Sequence, residues 1–175
     1  HNDRNGVISI MSELRTNRIV PRDGLPSGSS GGVIQVVFGS TTTQVSVTSG
    51  TNTDTGITAT ITPTRSDSKI LVITSVQWEL YRDSTEVSGS FELLRGSTVI
   101  SDHDNCVHAE AGTTGQSRII FEGGYTIQVL DSPNTTSATT YKLQTKLGHT
   151  TANNARIRVN RNNAPGCITL MEVSG

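Results

Sequence analysis

Val129 to Lys146, VLDSPNTTSATTYKLQTK, is the stretch of the sequence that decides the fold class. Two runs of alternating apolar and polar residues flank a block of Asp, Ser, Pro, Asn and Thr, which predicts a strand, a tight turn and a second strand. Side chains alternate between the two faces of a strand, so the second run has a core face and a water face. The core face carries Thr139, Tyr141, Leu143 and Thr145, and the water face carries Ala138, Thr140, Lys142, Gln144 and Lys146. The stretch therefore predicts an all-β protein.

Further short runs of the same kind follow one another along the chain, each bounded by Gly, Ser, Thr, Asn or Asp. About eleven candidate strands are expected, and no uninterrupted amphipathic helix lies between them. They are placed at 33–38, 44–48, 56–62, 69–80, 89–94, 98–101, 117–121, 125–130, 139–147, 156–160 and 167–173. Many short strands with short connections predict a jelly-roll-like β-sandwich of about 8 to 11 strands. The run at 69–80 is apolar on both faces over its first half, so we expect it at the centre of a sheet.

The residues before the first strand differ in composition. Apolar residues are sparse from Met11 to Val20, a Pro-Arg-Asp-Gly turn follows, and LPSGSSGG at 25–32 has the composition of a flexible linker. We therefore expect an extended N-terminal arm with its linker (1–32) and a head domain (33–175). The polar residues ahead of Met11 leave two alternatives open, a natural start at Met11 or a fragment of a longer polypeptide.

Charge and cysteine content restrict the partners. The net charge is -1, from 14 basic and 15 acidic residues, so no overall field draws the chain to nucleic acid or to an anionic membrane. No run approaches the ~20 apolar residues of a membrane span, so no membrane insertion is predicted. The two cysteines are far apart in sequence, which argues against a disulfide framework. Cys167 opens an apolar strand, whereas Cys106 falls in a predicted polar loop.

The densest polar cluster is SDHDNCVHAEAG at 101–112, which we interpret as a loop. Its His, Cys and carboxylate groups are sufficient for a metal site, but their spacing matches no known zinc pattern. These groups are Asp102, His103, Asp104, Cys106, His108 and Glu110. A solvated loop is favoured over a receptor-contact surface and over a metal site, and no cofactor is predicted.

Catalytic patterns are weak. No G-x-S-x-G elbow occurs, and nothing selects the carboxylates Glu79, Asp83, Glu86 and Glu92 as a glycosidase pair. Trp78 is expected to pack in the core or at a subunit interface rather than to stack on a sugar. Arg156, Arg158 and Arg161 alternate along a strand, which favours a solvated strand face over a ligand patch. The chain is not expected to be an enzyme.

Several segments, taken in order, resemble structural proteins of tailed bacteriophages. They are SELRTNRIVPRDG at 12–24, the Gly/Ser linker into VIQVVF, ITPTRSDSKILV at 61–72, FELLRGSTVI at 91–100, LDSPNTTSATTYKLQ at 130–144 and the closing ITLMEVSG. The likeness is to tail-fibre and other virion-surface proteins of marine and cyanobacterial phages, and it extends from Met11 onward. It implies a non-enzymatic homotrimer on the virion surface, made in the bacterial host cytoplasm, with the arm attached to the particle and the head facing outward.

The favoured hypothesis is a tail fibre whose head adsorbs to a host surface polysaccharide. Candidate receptor contacts in predicted loops are His103, Asp104, Asn105, His108, Asn153, Asn154, Arg161 and Asn162. Candidate virion-attachment residues are Leu14, Arg15, Arg18, Ile19 and Arg22, whose arginines suit an acidic socket. Two alternatives stay open: a capsid decoration, head fibre or tail connector without receptor binding, and a polysaccharide depolymerase or esterase.

Overall fold

The computed structural model describes residues 32–82, 86–110, 119–148 and 154–174, and these contain ten β-strands and one 3-10 turn. The strands are β1 (Val33–Thr41), β2 (Val45–Val47), β3 (Thr53–Ile61), β4 (Lys69–Arg82), β5 (Glu86–Arg95), β6 (Thr98–Glu110), β7 (Ile119–Asp131), β8 (Thr139–Leu147), β9 (Arg156–Val159) and β10 (Gly166–Val173). Within these ranges no helix has the length and apolar character needed to cross a membrane. The predicted arm, apart from Gly32, lies outside the described residues. The all-β prediction is confirmed.

The strands pair as one long hairpin that has been rolled up. β5 pairs with β6, β4 with β7, β3 with β8, β2 with β9 and β1 with β10, and every pair is antiparallel. Along the chain, the two strands of each pair in this series therefore lie on either side of the previous pair. Rolling places six strands in sheet A, ordered β1-β10-β4-β9-β2 with β7 on the other edge of β4, and four in sheet B, ordered β3-β8-β5-β6. This confirms the predicted jelly-roll-like sandwich.

β4 is the central strand, as its two apolar faces predict. β7 pairs with it from Ile70 to Arg82 along one edge, while β10 and then β9 share the other edge. Its inward side chains share one core with those of β8, and Ile70, Val72, Leu80, Tyr141 and Leu143 are almost completely buried in it. Trp78 is partly buried and packs against this core, which confirms its expected packing role.

The prediction made from residues 129–146 is wrong in one respect. Its two strands exist, but β7 belongs to sheet A and β8 to sheet B, so residues 132–138 cross between the sheets and the predicted tight turn does not close a hairpin. Asp131 stabilises the crossing, because it accepts hydrogen bonds from Arg95 of β5 at 2.8 and 2.9 Å and from the Tyr141 hydroxyl at 2.7 Å. Burial, followed by the contact with Asp131, raises the pKa of Tyr141.

Two predicted strands, at 117–121 and 125–130, form the single strand β7. The Gly123-Gly124 pair, taken from sequence as a break, lies inside it opposite Trp78 and Gln77. A Cβ on Gly123 would come within 2.8 Å of the Trp78 ring, so the glycine makes room for the indole. Both cysteines are free, in agreement with their predicted lack of a disulfide.

Glu172 of β10 is a fully buried carboxylate that joins three segments near the end of the sandwich. It accepts hydrogen bonds from the Gln35 amide of β1 at 2.6 Å and from the backbone and hydroxyl of Thr64 at 2.8 Å. Burial alone raises the pKa of Glu172, but the hydrogen bonds from Ser68, Gln35 and Thr64 outweigh it and lower the pKa. The ionised form is therefore part of the folded structure.

Substituting Gly39 tests the contact between β1 and β3. A Cβ at this position would lie 2.2 Å from the Thr58 backbone oxygen, which has no flexible side chain to move away. We expect Gly39→Ala to lower the free energy of unfolding by about 1 to 3 kcal/mol. Gly124→Ala is the control, because nothing lies within 4 Å of its Cβ and the loss of glycine entropy stabilises by about 0.5 kcal/mol. Urea unfolding of the two variants measures both changes in the free energy of unfolding. Equal changes would contradict the close approach of Gly39 to the Thr58 backbone.

Substituting Glu172 tests the buried carboxylate through pH. Its folded pKa lies below the ordinary value of 4.5, so its stabilisation is present above pH 4.5 and is lost as the pH falls through the folded pKa. At pH 7, Glu172→Gln should cost about 1 to 3 kcal/mol, because one of the two accepting oxygens becomes an amide NH2 that faces a hydrogen-bond donor. Urea unfolding from pH 7 down to pH 3 should show this difference from wild type shrinking. Asp67→Asn, at an exposed pair with Arg65, should show little difference at any pH. A Glu172→Gln difference independent of pH would contradict the assignment.

Candidate functional site

The polar cluster at 101–112 is a strand as far as Glu110, so its interpretation as a loop is wrong. β6 is an edge strand of sheet B, and within the described ranges only β5 pairs with it. Charged side chains on an edge strand hinder pairing with another chain, and β6 carries Asp102, Asp104 and Glu110. A charged edge strand and a polar loop have similar compositions, which explains the error.

His103 lies on the inner side of β6 and links the two sheets. Its Nε2 is 2.8 Å from the Ser101 hydroxyl, and its Nδ1 is 2.7 Å from the Tyr125 hydroxyl of β7. The Tyr125 ring also stacks on Phe91 with centroids 5.3 Å apart. Burial, followed by the Cys106 contact, raises the pKa of Tyr125 to about 12, so its hydroxyl is neutral at pH 7.

A serine next to a histidine is the geometry closest to a nucleophilic pair in this part of the chain. In serine hydrolases a carboxylate orients the histidine and stabilises the imidazolium that forms during reaction. A neutral Tyr125 hydroxyl supplies no such charge. The arrangement is therefore suited to a hydrogen-bonded connection between β6 and β7.

The other candidate contacts on β6 also have partners within the chain. Asp104 accepts a 2.9 Å hydrogen bond from Ser90 and lies 3.5 Å from the Lys146 amine. The Ser90 hydrogen bond, and after it Lys146, lower the pKa of Asp104. Asn105 accepts a 2.6 Å hydrogen bond from the Ser88 hydroxyl, and His108 Nε2 is 2.8 Å from Glu86. These polar groups support the local structure of β6, although Asp104 and His108 remain partly exposed to solvent.

Asparagine residues near the end of the chain adopt a backbone conformation that few other residue types tolerate. Asn154, Asn160, Asn162 and Asn163 all have positive φ, a conformation that asparagine tolerates better than most residues. Asn160 is fully buried, and its amide donates hydrogen bonds to the backbone oxygens of Thr43 and Thr55. The Asn-rich sequence between β9 and β10 is thus explained by a tight connection. Asn153 lies outside the described residues.

Arg158 and Arg161 form a salt-bridge cluster around Glu79, so the predicted solvated arginine face is wrong. Glu79 is on the outer face of sheet A, yet it is only 1% exposed because the Nη1 atoms of Arg158 and Arg161 cover it at 3.1 and 2.6 Å. Arg161 also contacts Glu122 of β7. Beside the cluster, the Arg156 guanidinium lies 3.6 Å from the centre of the Tyr81 ring. Arg156 and Arg158 alternate along β9 as predicted, whereas Arg161 lies in the 3-10 turn after it, and nothing in the local sequence indicates the buried partner on β4.

The predicted contact residues do not form one site. His103 meets Tyr125 on the inner face of β7, whereas Arg161 reaches Glu122 on the outer face of the same strand. The carboxylates considered for glycoside hydrolysis are also separated, since Glu79 is on sheet A and Glu92 on sheet B. Asp83 and the attachment candidates Leu14, Arg15, Arg18, Ile19 and Arg22 lie outside the described residues. Within the described ranges, no three His, Cys, Asp or Glu side chains converge as metal ligands.

An apolar surface on sheet A was not predicted from the sequence. One row of directly paired residues crosses four strands on the outer face, from β1 through β10 and β4 to β7. A second row lies two residues further along. We define the outer patch as their apolar members, Val36, Met171, Leu71 and Leu130 in the first row and Phe38 and Ile73 in the second. The sequence offered one signal, because the run at 33–38 is apolar on both faces.

Comparisons with known proteins find only distant structural similarity. No family model matches the chain, and no curated protein sequence does. The VP2 subviral particle of infectious bursal disease virus is matched with a TM-score of 0.38 and 10% identity, over 91% of this chain and 43% of that chain. The Gx strain of the same virus is matched with a TM-score of 0.33 and 13% identity, over 92% and 41%. The chain thus spans less than half the length of these proteins, and at these scores the likeness carries no functional argument.

Replacing Glu79 tests the salt-bridge cluster. Glu79→Gln removes the charge that both arginines share, and we expect a loss of about 2 to 3 kcal/mol in the free energy of unfolding, because removal of one partner leaves the others uncompensated. The arginine side chains are 26% and 29% exposed, which keeps the loss below that of a fully buried pair. Glu122→Gln is the control, since its side chain is 43% exposed and such a pair contributes about 0 to 1 kcal/mol. Chemical denaturation measures the free energy of unfolding of both variants. Equal losses in this free energy would contradict the central role of Glu79.

Proposed function

We propose that this chain is a structural protein of a virus particle, and in particular a tail fibre or fibre-like protein of a tailed bacteriophage. The nested strand pairing carries the proposal, because jelly-roll sandwiches are common in viral capsid proteins and in lectin domains. A fold alone does not determine function. The ordered phage-like segments in the sequence supply the second, independent line of support.

The distribution of polar groups supports a display role in preference to catalysis. His103, Asp104 and His108 are engaged in contacts that stabilise β6, and Glu79 neutralises arginines. Such groups hold a rigid scaffold in place. A rigid β-sandwich with polar surfaces suits a domain that is displayed on a particle.

Host contact is proposed for the outer face of sheet B. This face carries hydroxyl, amide and charged groups, among them Thr60, Thr140 and Gln144, with Asp54 accepting a 2.6 Å hydrogen bond from Gln144. Hydroxyl and amide groups are suited to hydrogen bonding with a surface polysaccharide. Asp104 also lies on this side of β6, and so retains its place among the receptor-contact candidates.

Attachment and stoichiometry follow from the resemblance. In this proposal, residues 1–32 attach to the particle through Leu14, Arg15, Arg18, Ile19 and Arg22, and three copies assemble into one fibre. The second candidate function is a capsid decoration, head fibre or tail connector without receptor binding. It is favoured by the internal pairing of the β6 candidates, which leaves fewer groups available for a receptor.

Labelling of intact particles tests the proposal. Gold-labelled antibodies against this chain should bind purified virions of the phage that encodes it, and electron microscopy should show them at the tail. The same antibodies should reduce adsorption to host cells. Labelling of the head with unchanged adsorption would favour the decoration alternative, and particles that lack the chain would overturn the virion role.

A further inference from the structure

The six residues of the outer patch lie within a larger region of sheet A that carries no charge. Three consecutive rows cross β1, β10, β4 and β7, and the third row runs from Ser40 through Cys167 and Ser75 to Thr126. The twelve side chains of these rows include no acidic or basic group. Lys69 lies beyond the first row, and the Glu79 cluster lies beyond the third. The outer face of sheet A is therefore divided into an uncharged region and a region of paired charges.

Three of the six members of the outer patch are exposed to an unusual degree for their size, and the other three, Leu71, Ile73 and Met171, are half-buried. Phe38 is 64% exposed, Val36 56% and Leu130 55%, and all three point away from the core. Single exposed apolar residues are ordinary on a protein surface, but a contiguous patch marks a contact surface. Phe and Met are also enriched at the centres of protein interfaces, where charged residues are depleted.

The edge of sheet A next to the patch is unprotected. Within the described residues β1 pairs only with β10, so its other edge is open. Natural edge strands usually carry charges or proline that hinder further pairing, as β6 does here. β1, VIQVVFGST, has neither, and its one irregularity is a register shift between Val33 and Gln35. An open, uncharged edge beside an apolar face is the composition of a surface that is covered in the assembled protein.

The dimensions of the three rows fit the centre of a subunit contact. Four strands about 4.8 Å apart and three rows about 6.6 Å apart give a flat footprint of about 19 by 20 Å, or roughly 380 Å². A stable contact buries about 800 Å² of accessible surface on each partner, and the open edge of β1 and the relief of the side chains add to this footprint. The lack of charge also means that two identical copies meet here without repulsion between like charges.

We propose that the outer patch and the open edge of β1 are the surface through which a second copy of this chain binds. The inference deepens the proposed function by naming the assembly surface, yet it rests on the geometry of sheet A and not on a virion role. An assembled protein that is missing from virions would thus overturn the proposed function and leave this inference standing.

The test is the mass of the full-length chain in solution, measured by light scattering after size exclusion. The wild type should have the mass of three chains, the number that the resemblance implies. The double variant Val36→Asp/Leu130→Asp should have the mass of one chain, because it places charge in the patch. Val99→Asp is the matched control, since Val99 is 46% exposed on a different strand, and it should keep the wild-type mass.

Thr169→Lys provides a second variant, in the middle of the three uncharged rows, where a long charged side chain should also give a mass of one chain. Melting temperatures and circular dichroism of each variant separate dissociation from unfolding. A wild-type mass of two chains that falls to one in the patch variants supports the surface and excludes the trimer. A wild-type mass of one chain, a folded double variant of unchanged mass, or dissociation by Val99→Asp would each overturn the proposal.

Discussion

The pairing of β4 on both of its edges is the constraint on which the rest of the structure depends. Thirteen of the 14 residues of this strand pair with β7 along one edge, and two successive strands, β10 and β9, pair with it along the other. β10 and β9 meet β1 and β2 in turn, so the whole of sheet A is assembled around one strand. Because β7 is followed by a crossing to sheet B, the position of β8 in the core also follows from it. A strand in this position must be apolar on both faces over much of its length, and the sequence of β4 meets that requirement.

Local pattern was enough to locate most strands, and it was not enough to pair them. Period-two alternation records which face of a strand is buried, so β8 and β4 were identified together with their core faces. Partners are decided by contacts far apart in sequence, and β7 and β8 show the consequence. They are adjacent along the chain, but Asp131 is held by Arg95 and Tyr141 at the point where the chain leaves sheet A. The local amino-acid composition does not indicate this contact, because the residues that form it are far apart in sequence.

The candidate site shows a similar limit, because composition alone does not separate an edge strand from a loop. β6 is polar since its outer edge faces water, and its His and Asp residues resemble the ligands of a polar loop in composition. The reverse case is β1, whose apolar run resembles a core strand, although Val36 and Phe38 point outward. In both strands the types of residue were evident from sequence. Their position at an edge of the sandwich was not, since it depends on the nested pairing of the whole chain.

The two outer faces of the sandwich differ in polarity and charge, so the domain has two chemically distinct sides. Sheet A is apolar and uncharged around the outer patch, whereas sheet B carries the hydroxyl, amide and charged groups of β3 and β8. The chain enters the domain at β1, on the apolar side. In the proposed assembly, copies of the chain would meet through sheet A, close to the residues that lead to the particle, and sheet B would be turned toward the surroundings. Two functions that require opposite surface chemistry, assembly and contact with a hydrated host surface, would then be served by opposite faces of one small sandwich.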